Sequence, residues 1–463
     1  MSLIKSISGI RGTIGGVSGD NLTPIDVVNF TSSYGNWILS FQTENPKVVI
    51  GRDARISGEI VQSLVVNTLI SMGIDVIDLG MSTTPTVEMM VPKFNANGGI
   101  IVTASHNPSQ WNALKFLNDK GEFISDEVGK GILTTDPNEI NFVTVDKLGK
   151  ISYYQDAIQD HIDAILKLDY LVDLQKIKDR NFKVVIDVIN STGAISMVPL
   201  LKQLNCEVLV LNGDMNGNFA HNPEPLPEHL NEIKKAVTTS KSDLGIVVDP
   251  DVDRIAFVCE DGEFFGEEYS LVAISDFVLN HKKGATVSNL SSTKALKDVT
   301  EKHGCQYFAA AVGEVNVVEK MKAVNAVIGG EGNGGIIFPE LHYGRDALLG
   351  AALFLSSLAQ FGKTTSFYRS KFPNYNMVKS KITLPDDVNL DQVLIGLKSK
   401  YQMQPINTID GLKIEFDNDW IHLRKSNTEP IIRVYAESYS ETTANNLIQK
   451  IISDINLIIK ELN

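Results

Sequence analysis

Short apolar runs that break off into polar turns recur along this chain. Gly98-Gly99-Ile100-Ile101-Val102 is glycine-led and wholly apolar, the pattern of a central strand covered on both faces. Lys47-Val-Val-Ile-Gly-Arg-Asp53 is a second strand that enters a polar turn. A helical pattern follows over residues 61–72, Gly73 ends it, and Asp75-Val-Ile-Asp-Leu79 starts a new strand. The same order returns from Lys183-Val-Val-Ile-Asp187, through a helix near 197–204, to Cys206-Glu-Val-Leu-Val-Leu211. It returns again from Ala285-Thr-Val-Ser288, through 294–303, to a strand over 307–312. Gly73, Asn205 and Gly304 at the helix ends fit left-handed caps. Strand–helix–strand units of this length imply parallel pairing with right-handed crossovers.

The last ninety or so residues break this rhythm. Strand patterns at 379–384, 411–416, 420–424 and 431–436 are accompanied by helical patterns over 390–401 and 442–462. The expected architecture is α/β: three similar units with mixed sheets over 1–150, 151–258 and 259–370, then a smaller α+β domain over 371–463. A length of 463 residues exceeds what one core fills. Hydrophobic residues make up 43% and charged residues 21%, a globular balance. No apolar run reaches the roughly 18 residues needed to span a bilayer, and Met1-Ser-Leu-Ile-Lys-Ser6 has no apolar leader pattern. Cys206, Cys259 and Cys305 are odd in number and far apart, which implies neither a disulfide framework nor a cysteine zinc site. The expected location is the cytoplasm. A net charge of −14 argues against nucleic acid or an anionic membrane as partner and leaves room for a small anionic substrate.

Four stretches carry candidate chemistry. The strand at 98–102 runs into Thr103-Ala104-Ser105-His106-Asn107-Pro108, which places a hydroxyl and an imidazole where open α/β sheets bind ligands. Ser105 there is a nucleophile or phosphate carrier, or part of an ordinary strand-to-helix turn. Leu244-Gly-Ile-Val-Val248 leads into Asp249-Pro-Asp251-Val-Asp253-Arg254, three hard oxygen donors suited to Mg²⁺. Arg254 at the sixth position excludes an EF-hand, while an aspartyl-nucleophile phosphatase and a solvated acidic turn compete. Ile328-Gly-Gly-Glu331-Gly-Asn333-Gly-Gly335 sets a carboxylate and an amide among glycines, groups that sugar hydroxyls can bond. Arg424-Lys-Ser426-Asn427-Thr428-Glu-Pro-Ile-Ile-Arg433 has the composition of a phosphate cradle. Arg11, in Ser8-Gly-Ile-Arg-Gly-Thr13, and the Arg52-Asp53-Ala-Arg55 turn are weaker signals that surface ion pairs explain equally well.

These four stretches, in this order, resemble the active-site loops of the α-D-phosphohexomutases, and the resemblance covers essentially the whole chain. It implies three α/β domains and a smaller fourth around a central cleft. It implies a phosphorylated Ser105 and one Mg²⁺ held by Asp249, Asp251 and Asp253 with Ser105. Lys115 matches the lysine near the phosphoserine, and Arg11 matches the early arginine. His106 and Arg254 belong to the same catalytic set, while Glu331, Asn333, Arg424, Ser426, Asn427, Thr428 and Arg433 match the substrate-binding loops. The chain departs from the common Gly-Glu-x-Ser-Gly-His pattern at Asn333 and Gly335; a glycine cannot transfer protons, so no general acid or base carries over there. The Glu-Gly-Asn-Gly-Gly form is similar to an archaeal-type phosphoglucosamine mutase branch.

The resemblance implies an isomerase that interconverts glucosamine 6-phosphate and glucosamine 1-phosphate, with a hexose 1,6-bisphosphate as activator. Glucose or mannose phosphates are the alternative substrates. A phosphatase with Asp249 or Asp251 as nucleophile and a sugar-phosphate sensor are the readings from other classes. Lys115 and Arg11 are the candidates for proton transfer. Lys115 is favoured because a lysine beside arginines in a closed cleft loses its proton more easily, although an adjacent phosphate opposes that shift. The alternative is a lysine that only pairs with the phosphoserine. The assembly expected is a monomer or a homodimer, with a hexose phosphate as the only partner.

Overall fold

The computed structural model describes residues 2–6, 9–136, 140–383, 388–425 and 431–462. Four sheets follow one another along the chain, and the first three share one wiring. In the first, strand Lys47–Arg52 pairs in parallel with Asp75–Met81 on one side and Gly98–Val102 on the other. Gly98–Val102 then pairs antiparallel with Trp111–Leu117. In the second, Lys183–Asp187 lies between Glu207–Leu211 and Leu244–Val248, and Leu244–Val248 pairs antiparallel with Ile255–Cys259. In the third, Thr286–Asn289 lies between Tyr307–Ala310 and Ile328–Glu331, whose antiparallel neighbour is Gly335–Phe338. The faint sequence repeat is a repeat of topology. Strands Ile4–Ser6, Gly9–Thr13 and Ile151–Tyr153 extend the first sheet, and His342–Arg345 extends the third.

The crossover helices are Gly58–Ser71, Gly193–Gln203 and Ala295–Lys302. The first begins before residue 61, where the hydrophobic pattern does not mark it, since Glu59 and Ile60 are exposed and add nothing to the apolar stripe. Gly73, Asn205 and Gly304 adopt φ of +82°, +63° and +70°, the left-handed caps that their side chains allow. The antiparallel fourth strand of each unit went unread in the sequence. It corrects one reading directly: after Ser105 the chain turns into strand Trp111–Leu117, not into a helix.

Both faces of the first sheet are covered. Val48, Ile50, Ile100 and Val102 pack with Val61 and Val65 on one side, while Val49 and Ile101 meet Val87 and Met90 on the other. The second and third units share a single core. Helix Ala347–Phe361 runs through it, buried from Ala347 to Ala359, and Phe354 stacks on Phe257 with centroids 3.7 Å apart. The fourth sheet is antiparallel, in the order Asn376–Thr383, Ile431–Ser438, Trp420–Lys425, Leu412–Glu415, Ile406–Asn407. Helices Leu390–Lys400 and Glu441–Leu462 pack on it through Val393, Leu397, Ile448 and Ile451.

Candidate active site

The first three candidate loops occupy the same place in the repeat, the turn between the third strand and its antiparallel fourth. Two of these turns hold a non-glycine residue in the left-handed region: Ser105 at φ +48° and Val252 at φ +60°. Such a backbone costs about 1–3 kcal/mol and persists only where its surroundings enforce it. The Ser105 N–H donates to Thr103 Oγ1 at 2.9 Å. Arg55, 1% exposed, donates to the carbonyls of Ser105, Asn107, Pro108 and Trp111. Its Nε stands 3.0 Å from Asp53 Oδ2, which also accepts from Thr103 Oγ1. The surface-pair reading of this arginine is therefore corrected: Arg55 is an internal clamp on the serine turn. The Val252 N–H donates to the Asp249 carbonyl, and the Val252 carbonyl accepts from Ala347 N–H.

The serine turn meets the acid turn. Ser105 Oγ donates to Asp249 Oδ2 at 2.8 Å and stands 3.4 Å from His106 Nδ1. Asp249 Oδ1 accepts the N–H groups of Asp253 and Arg254. The carboxylates of Asp249, Asp251 and Asp253 present oxygens within 4.8 Å of one another, all fully buried. Among the described residues, Asp251 Oδ1 and Asp253 Oδ1 have no hydrogen-bond donor. Burial, then Asp253 and Asp251, push the Asp249 carboxyl well up. A hard divalent cation fits this set, because it would supply the charge that these unpartnered buried oxygens lack.

Cationic groups crowd the same place. Lys115 Nζ donates to Asp251 Oδ2 at 2.8 Å and lies 3.7 Å from Asp253. Burial pushes its pKa down, yet Asp251 and Asp253 more than offset that and leave it raised, the opposite of the direction expected from sequence. Burial and the nearby Arg254 lower Arg11, whose Nη1 lies 3.4 Å from Asn107 Oδ1. The pKa of His106 is held well below its ordinary value by Arg254, then by burial, Arg11 and Arg345.

Arg345 was missed in the sequence. Its guanidinium donates to Asp253 Oδ2 at 2.6 Å and to Glu331 Oε2 at 2.8 Å, and stands 3.0 Å from Glu314. It thus joins the acid turn to the Glu331 turn. Glu331 Oε1 accepts from Asn289 Nδ2 and Gly313 N–H, while Asn333 Oδ1 is buried without a partner among the described residues. Gly335 explains itself here. A Cβ built on it would stand 2.3 Å from Arg345 Cδ, so the space for a larger residue is filled by arginine.

The comparisons agree along the whole chain. Models of the phosphoglucomutase/phosphomannomutase alpha/beta/alpha domains I, II and III match residues 4–139, 159–262 and 266–375, and that of the C-terminal domain matches 377–453. The chain belongs to the phosphoglucomutase/phosphomannomutase family. It is an isomerase of the phosphohexomutase class. A phosphoglucomutase/phosphomannomutase of Thermococcus kodakarensis is 32% identical over 446 residues, spanning 95% of this chain and 96% of that protein. A phosphoglucosamine/phosphogalactosamine mutase of Sulfurisphaera tokodaii is 32% identical over 461 residues, 97% and 98% of the two chains. The fold matches that of a phosphoglucomutase/phosphomannomutase family protein of Burkholderia thailandensis, with a TM-score of 0.83 at 24% identity over 99% and 98% of the chains.

The fourth loop is not joined to this cluster by any described contact. Arg424 and Arg433 are cross-strand partners in the fourth sheet, and Arg424 Nη1 lies 3.6 Å from Asp410, which also accepts from Val312 N–H of the third unit. Ser426, Asn427 and Thr428 lie outside the described residues. Among the described residues, no helix is long and apolar enough to cross a membrane.

Proposed function

We propose that this phosphohexomutase interconverts glucosamine 6-phosphate and glucosamine 1-phosphate, with Ser105 as the carrier of the phosphoryl group. The observation that carries this reading is the 2.8 Å contact between Ser105 Oγ and Asp249 inside a buried ring of Asp251, Asp253, Lys115 and Arg254. Phosphorylated Ser105 transfers its phosphoryl group to the free hydroxyl of the bound monophosphate. That gives a hexose 1,6-bisphosphate, which turns round and returns its other phosphate to Ser105 Oγ. Lys115, Arg11 and Arg254 surround the charge of the transferring group; such pre-placed charge is what phosphoryl transfer requires of a protein.

Asp249, Asp251 and Asp253, with the phosphoserine, would hold one Mg²⁺. When bound, Mg²⁺ neutralises phosphoryl oxygens and polarises the phosphorus. Glu331, kept ionised by Arg345 and Asn289 against the effect of burial, and Asn333 would bond hydroxyls in the middle of the sugar, which both orientations of the bisphosphate present alike. Arg424, Ser426, Asn427, Thr428 and Arg433 would hold the distant phosphate. The relatives named for phosphoglucosamine support the amine-bearing sugar; the Thermococcus relative named for phosphoglucose and phosphomannose supports the second reading. Three unpaired thiols, Cys206, Cys259 and Cys305, accord with a reducing compartment such as the cytoplasm.

The test is turnover of the 1-phosphates of glucosamine, glucose and mannose, each with catalytic hexose 1,6-bisphosphate. Glucosamine 1-phosphate should show the highest kcat/KM. A higher value for glucose or mannose overturns the substrate assignment, and release of inorganic phosphate without isomerisation overturns the mutase cycle.

A further inference from the structure

A second group of metal-ligand side chains lies where the first three units meet. His161 comes from helix Ala157–Leu166, His342 from strand His342–Arg345, and Asp346 caps helix Ala347–Phe361. His161 Nε2 is 2.8 Å and His342 Nε2 is 3.2 Å from the same Asp346 Oδ2. The three donor atoms lie within 4.8 Å of one another, and the His161 and Asp346 side chains are fully buried.

We propose that His161, His342 and Asp346 form a transition-metal site of the zinc class, with a donor set separate from the acids beside Ser105. Two imidazoles and one carboxylate suit Zn²⁺ or Co²⁺, whereas Mg²⁺ prefers oxygen donors throughout. Three protein donors leave a fourth position for water. The far nitrogen of each ring is already engaged, as metal-bound imidazoles require: His161 Nδ1 by Thr86 Oγ1 at 2.9 Å, and His342 Nδ1 by Glu88 Oε2 at 3.3 Å.

Glu88 is the independent pointer. It is 2% exposed, its Oε2 is paired with His342 Nδ1 at 3.3 Å, and among the described residues its Oε1 has no hydrogen-bond donor. Gly344 makes room for it, since a Cβ there would stand 1.8 Å from Glu88 Oε2 and 2.9 Å from His342 Nδ1. For the metal to bind, the proton between each Nε2 and Asp346 must leave, to solvent or to the ring's own Nδ1 where that is free, and the Nε2 lone pair so exposed takes the ion. Glu88 and Thr86 belong to helix Thr84–Lys93, whose first residue donates to Asp251. The ion would fix that helix against the acid turn.

The test uses full-length Asp251→Asn protein, in which the acid cluster is weakened. Metal analysis after dialysis should find about one equivalent of Zn²⁺ or Co²⁺, which excess Mg²⁺ does not displace. Bound Co²⁺ should show the visible absorption of four-coordinate geometry, and adding His342→Gln should remove the ion. Should that variant fail to fold, Glu88→Gln leaves every direct ligand in place and should weaken Co²⁺ binding about 10–100-fold. No retained ion, displacement by Mg²⁺, or unchanged Co²⁺ affinity in Glu88→Gln overturns the site.

Discussion

At Lys115 the chemistry of one side chain depends on two carboxylates. The sequence places a lysine near a serine and several arginines, which suggests a lowered pKa and a proton carrier. The fold instead puts its ammonium 2.8 Å from Asp251, and the net effect of burial and the two acids is a raised pKa. Lys115 is therefore expected to act as a fixed charge. Lys115→Met should lower kcat by about 10²-fold or more, whereas Lys115→Arg should retain a larger share of activity and keep the shape of the pH–rate profile between about pH 6 and 9. An arginine variant as inactive as the methionine one contradicts this. Gly335 and Arg345 form a second pair whose meaning only the fold reveals. Gly335→His would force its Cβ into Arg345, so the losses in kcat/KM from Gly335→His and from Arg345→Ala should be less than additive when combined. A double-mutant cycle should give a coupling of about 1–3 kcal/mol; additive effects contradict the steric account.

Among the elements, the strand-to-turn boundaries were legible and the antiparallel fourth strands were not. An apolar run before Ser105 or Asp249 declares itself by its sudden end, and Gly73 and Gly304 mark helix ends by their cap chemistry. Trp111–Leu117 hides because its pattern does not reveal its partner, which lies across a tight turn. Arg345 hides for a related reason: its three acidic partners, at 253, 314 and 331, are distant in sequence. A clue was present in Asp346, an acid immediately before a long apolar helix, the signature of a cap. The strand Leu412–Glu415 carries its own test. Lys413 reaches across from the fourth sheet to donate to the Leu290 carbonyl at 2.9 Å, over the Trp420 ring. Burial lowers its pKa to about 8. The unfolded chain, with a pKa of about 10.4, therefore binds more protons between about pH 8 and 10, and stability rises with pH across that window. The cost of burying the charge is fully present below about pH 8. The melting temperature of the wild type relative to Lys413→Met should rise through this window, by the equivalent of about 3 kcal/mol. A flat difference contradicts the assignment.

For the whole molecule, the units are unequal in independence. The second and third share a core in which Phe257 and Phe354 stack, while polar contacts such as Ser105–Asp249 and Thr84–Asp251 join the first unit to the second. Phe354→Ala should remove roughly 3–5 kcal/mol and lower a single calorimetric transition that covers both units; separate transitions for the two contradict a shared core. The three-fold repeat also explains why the candidate site could be read from sequence at all. Each unit offers the same turn, and the chain fills those turns in order with a hydroxyl, three acids and a glycine-flanked carboxylate. The central claim is that Ser105 carries the phosphoryl group between the two ends of the sugar. Its most direct measurement is peptide mass analysis of wild type and Ser105→Ala after exposure to hexose 1,6-bisphosphate, with turnover followed in parallel. The account predicts one added phosphoryl group on Ser105 in the wild type, and its loss in Ser105→Ala together with a fall in turnover of several orders of magnitude. A phosphoryl group on Asp249 or Asp251, or a folded Ser105→Ala protein with near-normal mutase activity, would contradict it.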